Sequence, residues 1–202
     1  MLALEPKTHK SKQTKLKILS VAKDVFSQRG FQKATVKDIT TAADLGYGTF
    51  YLYFKDKKEV FYALVEQVEE ELFTAAHGGS DLNRDYERGI SSYRALRKDL
   101  RSILQSFKDN DSVLRFSREL ALIDDDFKTK YESMRARLIE RTRQILHKSG
   151  LHSVDLSIAA VAIAGMIEST ALEWAKGSSQ DPDLDIERVL PTLTKLYFKA
   201  VS

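Results

Sequence analysis

The 202-residue sequence contains no cysteine, only three prolines and only nine glycines. Without cysteine, the chain has no disulfide framework, no thiolate metal ligand and no cysteine nucleophile. The shortage of proline and glycine, together with apolar residues at helical rather than alternating spacing, predicts an all-α protein of about nine helices. The composition, 43% hydrophobic and 30% charged, is that of an ordinary globular protein.

Long apolar segments are also scarce. The longest apolar run, residues 156–167, is bounded by Asp155 and Glu168 and is too short to cross a membrane. We therefore predict a buried helix there and no association with a membrane. The amino terminus is basic but lacks the apolar core of a secretory signal. Together with the lack of cysteine, this favours a cytoplasmic protein.

The sequence shows no catalytic or phosphate-binding motif and no zinc-spaced set of histidines. The Gly-Tyr-Gly triplet at 46–48 is half of a dinucleotide fingerprint, but it follows a helical pattern and lacks the third glycine. His77, His147 and His152 are scattered along the chain. We predict no catalytic residue, no cofactor and no metal site.

Basic charge is concentrated at the amino-terminal end. Residues 1–60 contain twelve Lys/Arg and six Asp/Glu, whereas the rest of the chain contains twenty and twenty-three. This asymmetry is typical of a phosphate-binding surface, although a small basic excess can also serve only to solvate a protein. Residues 1–13 have lysines and no apolar periodicity, so we predict a flexible basic arm.

Two short helical patterns meet across a tight turn within residues 35–54. Thr35 and Asp38 have the spacing of a capping box that begins the first helix. Asp44 stands in the turn, where a left-handed backbone is needed, and the second helix begins at Gly46.

The second helix of this pair has one apolar face and one outward face. Phe50 and Phe54 lie one turn apart on the apolar face. A crossed helix pair that buries one face and exposes a short second helix is a helix-turn-helix, the shape that enters the major groove of DNA.

Residues 18–64 resemble the DNA-binding domain of the TetR/AcrR family of bacterial transcriptional regulators. The resemblance rests on the Thr35 cap and on three short runs: Arg29-Gly30-Phe31, Gly48-Thr49-Phe50-Tyr51 and Tyr53-Phe54-Lys55. Two positions depart from the family pattern, because Asp44 replaces the usual turn glycine and Gly46 replaces the usual capping serine. The second change could loosen the helix start or remove one phosphate contact.

The resemblance implies a dimer that binds a roughly palindromic DNA operator, with one recognition helix per subunit in the major groove. It implies an interface formed by the last two helices of each subunit, and a pocket whose small-molecule ligand lowers DNA affinity. The residues that it places on DNA are Thr35, Lys37, Tyr47, Gly48, Thr49, Tyr51, Tyr53 and Lys57.

Composition and helical stripes divide the chain into four segments. They are a flexible arm (1–13), a helix-turn-helix domain (14–60), a connecting helix and joint (61–80) and a ligand-binding and dimerisation domain (81–202). The joint itself is the glycine-rich stretch 77–80. Pro191, inside the last helical pattern, predicts either a kink or a helix that begins there.

The most apolar helix, residues 154–176, has more apolar surface than one chain can cover, which predicts a homodimer; a monomer with this helix fully internal is the alternative. Glu168 in this helix needs a partner, either an arginine such as Arg135 or a ligand. The side chains that could line a ligand pocket, or simply form core, are Tyr93, Phe107, Phe116, Met134, Glu168 and Trp174.

These features together predict a dimeric DNA-binding transcriptional regulator, a repressor that a mainly apolar small-molecule effector releases from its operator. A helical ligand-binding or interaction protein with a non-functional helix-turn-helix is the alternative. An enzyme would need a catalytic constellation, and the sequence shows none.

Overall fold

The computed structural model describes residues 8–75, 90–148, 154–177 and 185–201, and every regular element in these ranges is an α-helix. The all-α prediction is therefore confirmed. The predicted joint at 77–80 and residues 1–7 of the predicted arm lie outside the described residues. In chain order the helices are α1 (His9–Arg29), α2 (Val36–Ala42), α3 (Tyr47–Phe50), α4 (Lys57–Ala75), α5 (Ile90–Asp109), α6 (Asp111–Ala121), α7 (Asp125–Lys148), α8 (Leu156–Gly177) and α9 (Ile186–Val201).

Helix α1 begins earlier than the sequence pattern predicted, at His9 rather than at residue 14. The Thr8 hydroxyl caps it by accepting a 3.2 Å hydrogen bond from the Ser11 amide. The first turns have no apolar stripe, because they project beyond the core, and for that reason periodicity alone missed them. Residues 9–13 are thus helical rather than part of a flexible arm.

A cluster of phenylalanines forms the centre of the amino-terminal core. Phe26 of α1, Phe31 of the following loop and Phe61 of α4 have ring centres 5.1 to 5.7 Å apart. All three are buried. Burial of a side chain of this size contributes roughly 1.5–3 kcal/mol, so this cluster is a principal source of the stability that fixes the helix-turn-helix.

Helix α4 leaves this core and enters the carboxyl-terminal part. Asp56 caps it by accepting a 2.9 Å hydrogen bond from the Glu59 amide, and the Glu59 carboxylate accepts from the Lys55 amide, so the helix has a capping box-like start. Its 19 residues span about 28 Å. Its apolar stripe is buried: Phe61, Leu64, Val65, Val68 and Leu72.

The first turn of α7 docks directly on the amino-terminal core. The ring of Phe127 lies 5.5 Å from Phe31 and 5.6 Å from Phe61, centre to centre. Beside it, the Lys58 ammonium group donates hydrogen bonds of 2.9 Å to both Asp124 and Asp126. The two predicted domains therefore share an apolar core and an ion-pair cluster.

A buried amide joins three helices at a second point. Asn110, between α5 and α6, accepts a 2.7 Å hydrogen bond from Lys23 of α1 and donates a 2.9 Å hydrogen bond to Glu71 of α4. These two hydrogen bonds fix the position of α4 along its axis relative to α1 and to the junction of α5 and α6.

Helices α5 to α9 form the carboxyl-terminal bundle, in which α8 packs against α5, α7 and α9. Helix α9 runs continuously from Ile186 through Pro191. The alternative that a helix begins at Pro191 is therefore wrong, since the proline removes only the hydrogen bond to the carbonyl of Glu187 and the preceding turn is already helical.

Helix α8 is far less buried than its sequence suggested. Ile158 is 70% exposed and Val161 is 46% exposed, and only 22% of the apolar window Leu156–Ala175 is buried. By length and hydropathy that window could cross a membrane, so the exclusion by length was wrong, because the helix continues past Glu168. The prediction of a buried helix is wrong for the single chain, and so is the fully internal α8 of the monomer alternative.

Candidate nucleic-acid interface

The capping box at the start of α2 is confirmed. The Thr35 hydroxyl accepts a 3.1 Å hydrogen bond from the Asp38 amide, and the Asp38 carboxylate accepts a 2.9 Å hydrogen bond from the Thr35 amide. Hydrogen bonds from the Thr35 hydroxyl and amide, with Arg29 nearby, lower the pKa of Asp38 below its usual value. These hydrogen bonds fix the amino-terminal end of α2, the first helix of the candidate interface.

The turn between α2 and α3 adopts the backbone that the sequence predicted. Asp44 has a φ of 51°, and the Leu45 amide donates a 2.9 Å hydrogen bond to the Thr40 carbonyl. Gly46 precedes α3 without a side-chain cap, although its carbonyl accepts from the Thr49 amide at 2.8 Å. The two helices are therefore joined at a fixed crossing.

Helix α3 presents one buried face and one exposed face. Phe50 and Phe54 are buried, and a 3.0 Å hydrogen bond from the Phe54 amide to the Phe50 carbonyl extends the helical turn to Phe54. On the other side Tyr47 is 55%, Tyr51 45% and Leu52 53% exposed.

The two exposed tyrosines are paired. Their hydroxyl oxygens are 2.9 Å apart and their ring centres 5.2 Å apart in an edge-to-face arrangement. The hydrogen bond with Tyr47 raises the pKa of Tyr51, so the Tyr51 phenol keeps its proton at physiological pH. The pair is a preorganised polar group on the outer face of α3.

The structure separates the residues predicted to bind DNA into two sets. Lys37, Tyr47, Gly48 and Tyr51 are exposed, and Thr49 is half-buried. Of the other three, Thr35 is also exposed but is hydrogen bonded to Asp38, whereas Tyr53 and Lys57 are half-buried and are hydrogen bonded to α1 and to the loop after it.

The Lys57 ammonium group is held inside the domain. It donates hydrogen bonds to the carbonyls of Phe31 (2.8 Å), Gln32 (3.0 Å) and Ala34 (2.9 Å), which uses all three of its protons. Burial lowers its pKa. Sequence spacing gave no signal of this role, because the carbonyls belong to the loop between α1 and α2. Its predicted contact with DNA stays a prediction.

The first turns of α1 lie beside the end of α3, which sequence reasoning missed. The Ser11 hydroxyl donates a 3.3 Å hydrogen bond to the Tyr53 hydroxyl, and the Lys15 ammonium lies 5.5 Å from the centre of the Phe54 ring. The capping signal at Thr8 could have indicated this extension. Lys15, and with it the neighbouring exposed Lys12, is thereby added to the cations near the end of α3.

The predicted ligand-binding residues are only partly assembled. Phe107, Met134 and Glu168 line one small cavity together with Leu72 of α4. Trp174 is buried elsewhere, with the Lys108 ammonium 4.9 Å from its ring, and the half-buried Phe116 is not part of the cavity wall. The side chain of Tyr93 lies outside the described residues.

Glu168 pairs within the protein. Its carboxylate accepts hydrogen bonds from the Tyr131 hydroxyl at 2.9 Å and from the Arg135 guanidinium at 3.4 Å. Of the partners that the sequence left open, the arginine is the one present. Burial and the adjacent carboxylate raise the pKa of Tyr131 to about 12, so its hydroxyl keeps its proton. The space behind this group is about 20 Å³, enough for one water.

No group of three or more His, Asp or Glu residues within the described part of the chain could hold a metal ion.

Comparisons with known proteins agree with this geometry. Residues 18–64 match the model of bacterial regulatory proteins of the tetR family. The HTH-type transcriptional regulator YvdT of Bacillus subtilis is 27% identical over 183 residues, 84% of this chain and 87% of that protein. EthR of Mycolicibacterium smegmatis is 22% identical over 91% of this chain and 84% of that protein.

Among solved structures, a TetR-like transcriptional regulator from Rhodococcus sp. RHA1 superposes with a TM-score of 0.69 at 25% identity, covering 93% of this chain and 95% of that one. The relatives and the fold are those of transcriptional regulators, not of enzymes.

Proposed function

Because the chain belongs to the TetR/AcrR family of bacterial transcriptional regulators, whose helix-turn-helix binds DNA, we propose that it is a dimeric repressor released from its operator by a small molecule. The observation that carries the proposal is the fixed crossing of α2 and α3, which leaves Tyr47, Gly48 and Tyr51 exposed above a buried Phe50. A vestigial helix-turn-helix would have no reason to keep two large aromatic side chains in water.

The DNA-binding face consists of the exposed set on α2 and α3, namely Lys37, Tyr47, Gly48, Thr49 and Tyr51. Thr35 and Tyr53 belong to its edge, and Lys57 supports it from behind. The test is titration of the full chain against DNA from upstream of its own gene, with Tyr51→Ala as the variant. Leu122→Ala, at an exposed leucine after α6, is the control. Equal affinities for all three proteins would contradict the proposal.

The homodimer forms through α8 and α9. Ile158, Val161, Ala162 and Gly165 lie on one face of α8, where a second helix can approach closely because Ala162 and Gly165 are small. A methyl group placed on Gly165 would meet no atom within 4 Å in the single chain. Leu196 of α9 is also exposed. Two-fold pairing of these faces would cover the apolar surface and place two copies of α3 on one side of the molecule.

The effector pocket is the cavity behind Glu168. An apolar molecule must expand it, since a volume of about 20 Å³ holds no organic ligand. Tyr131 and Arg135 close its mouth, so entry of a ligand would part them from Glu168. Such a ligand would bind one shape of the bundle better than the other, which is the requirement for allosteric control.

Two helices connect this cavity to the DNA-binding face. Helix α4 places Leu72 in the cavity wall and Phe61 in the amino-terminal core. Helix α7 places Met134 in the wall and Phe127 in the same core. Expansion of the cavity therefore changes the relative position of two helices that hold the helix-turn-helix.

The effector proposal is tested by screening compounds for thermal stabilisation and then titrating each hit against the protein bound to DNA. Compounds that stabilise the protein and weaken its DNA binding support the proposal. Stabilising compounds from a chemically broad library that all leave DNA affinity unchanged would favour a constitutive DNA binder.

A further inference from the structure

The exposed surface of α3 carries no charge. From Leu45 to Phe54 the sequence has no Arg, Lys, Asp, Glu, Asn or Gln. The lysines that flank this stretch in the sequence, Lys37 on α2 and Lys55 after α3, are exposed. The side chains that read guanine or adenine through two parallel hydrogen bonds are Arg, Lys, Asn and Gln. Helix α3 therefore has no group that can make such a pair of bonds.

The centre of the exposed surface is small and apolar. On a helical wheel, Gly48 and Leu52 lie opposite the buried Phe50 and Phe54. Leu52 is 53% exposed, and a methyl group placed on Gly48 would meet no atom within 4 Å. The side of α3 that faces away from the core thus offers a leucine side chain next to bare backbone.

The polar groups on the flank of this surface discriminate poorly between bases. Tyr47 and Tyr51 share one hydrogen bond between their hydroxyls, so the pair keeps a single proton to donate outward. A lone hydroxyl donor is accepted by several positions in the major groove, and hydroxyl side chains bind different bases. The tyrosine pair can add affinity without selecting a purine.

We infer that α3 recognises its DNA through the methyl groups of thymine. The thymine methyl is the apolar group that the major groove presents, and contact with an apolar side chain is the means by which it is read. Leu52 and the backbone at Gly48 receive these methyl groups, while Lys37, Lys55 and the lysines of α1 hold phosphates. The inference rests on the proposed function, and it deepens it by assigning the chemistry of the partner.

The test uses full-length protein and chemically modified duplexes. Binding sites are first selected from a random duplex pool at low salt. Each thymine of the selected half-site is then replaced by deoxyuridine, which deletes the methyl group alone, and each guanine by 7-deazaguanine, which deletes the N7 acceptor alone. Every duplex is titrated with wild type, with Leu52→Ala and with Leu122→Ala, a leucine that is 86% exposed far along the chain from α3.

We expect about fourfold weaker binding for each contacted methyl group removed, which corresponds to the burial of one methyl group. For at least one thymine the loss should be smaller in Leu52→Ala, because both changes remove the same contact, whereas Leu122→Ala should behave as wild type. Guanine substitution should leave affinity within about twofold.

The outcomes separate the inference from the proposed function. Losses at guanines with none at thymines would overturn the inference and leave a DNA-binding regulator standing. Thymine losses of equal size in wild type and Leu52→Ala would also overturn it, since Leu52 would then not touch a methyl group. A selection that enriches no sequence would overturn the proposed function and the inference together.

Discussion

The ammonium group of Lys57 donates a 2.8 Å hydrogen bond to the Phe31 carbonyl and lies 4.8 Å from the centre of the Phe31 ring. Phe31 in turn packs against Phe61 and Phe127. Lys57, which the family resemblance places on DNA, thus links α4 to the loop before α2.

Lys57→Met should lower the free energy of unfolding by about 1–3 kcal/mol, because three loop carbonyls, two of them partly buried, lose a charged donor. The slope of log affinity against log salt concentration should stay the same. Lys55→Met, at an exposed neighbour, should do the opposite and reduce that slope by about one. Denaturant unfolding and DNA titration across salt concentrations measure both. If Lys57→Met reduced the salt slope by one, Lys57 would contact a DNA phosphate after all.

Gly48→Ala should separate folding from DNA binding. The added methyl group meets no atom of the protein, and alanine favours a helix over glycine by up to about 1 kcal/mol. Stability should therefore be unchanged or higher. DNA affinity should fall on the order of tenfold, since the methyl group occupies the space between α3 and the groove. Thermal unfolding and DNA titration of the same sample provide the comparison.

Acid should weaken the start of α2. The folded-state pKa of Asp38 lies below 3.8 because Thr35 donates two hydrogen bonds to the carboxylate. A lowered pKa means that the contribution is complete above 3.8 and is lost as pH falls through the folded-state value. Urea unfolding of wild type and Asp38→Asn should differ by a constant amount near neutral pH and converge in acid. A carboxyl-carbon NMR titration that places this pKa above 3.8 would contradict the assignment.

Lys58→Met should weaken communication between cavity and DNA. The hydrogen bonds that Lys58 donates to Asp126 and Asp124 raise the pKa of Lys58 above its usual value, so the ion-pair cluster persists at any physiological pH. Without it, α7 keeps the Phe127 ring contacts with the amino-terminal core but loses its ion pairs to the first turn of α4. Operator affinity without effector should change little, and the loss of affinity caused by a releasing compound should shrink. Lys98→Met, at an exposed site on α5, is the matched control.

Ala162→Arg should produce monomers, because the exposed face of α8 would then carry a buried charge in the dimer. Ala136→Arg makes the same change at an exposed position of α7 and should leave the dimer intact. Sedimentation velocity at micromolar concentration distinguishes the two. A wild-type protein that sediments as a monomer would remove the interface.

The elements that sequence reasoning predicted correctly depend on residues close together in the chain. The capping box at Thr35 and Asp38, the positive φ of Asp44 and the apolar face of Phe50 and Phe54 each involve one or two helical turns. Such features follow from local hydrogen bonding and side-chain periodicity, which are legible without knowledge of the fold.

The features that it missed arise from contacts between distant segments. Lys57 finds its carbonyls 23 to 26 residues away, and Glu168 finds Tyr131 at a separation of 37. The position of Phe127 within the amino-terminal core follows only from the packing of α7 on α4. The exposed face of α8 was misjudged because the sequence does not say which apolar faces meet.

The absence of charge from α3 places attraction and discrimination on different parts of the surface. The lysines around α3 will hold any duplex with similar strength, and salt acts on them alone. Raising the salt concentration should therefore shorten the stay on operator and on unrelated DNA by similar factors. The ratio of the two affinities would remain nearly constant. The same lysine–phosphate contacts would then hold the protein while it searches a chromosome and when it is bound at its operator.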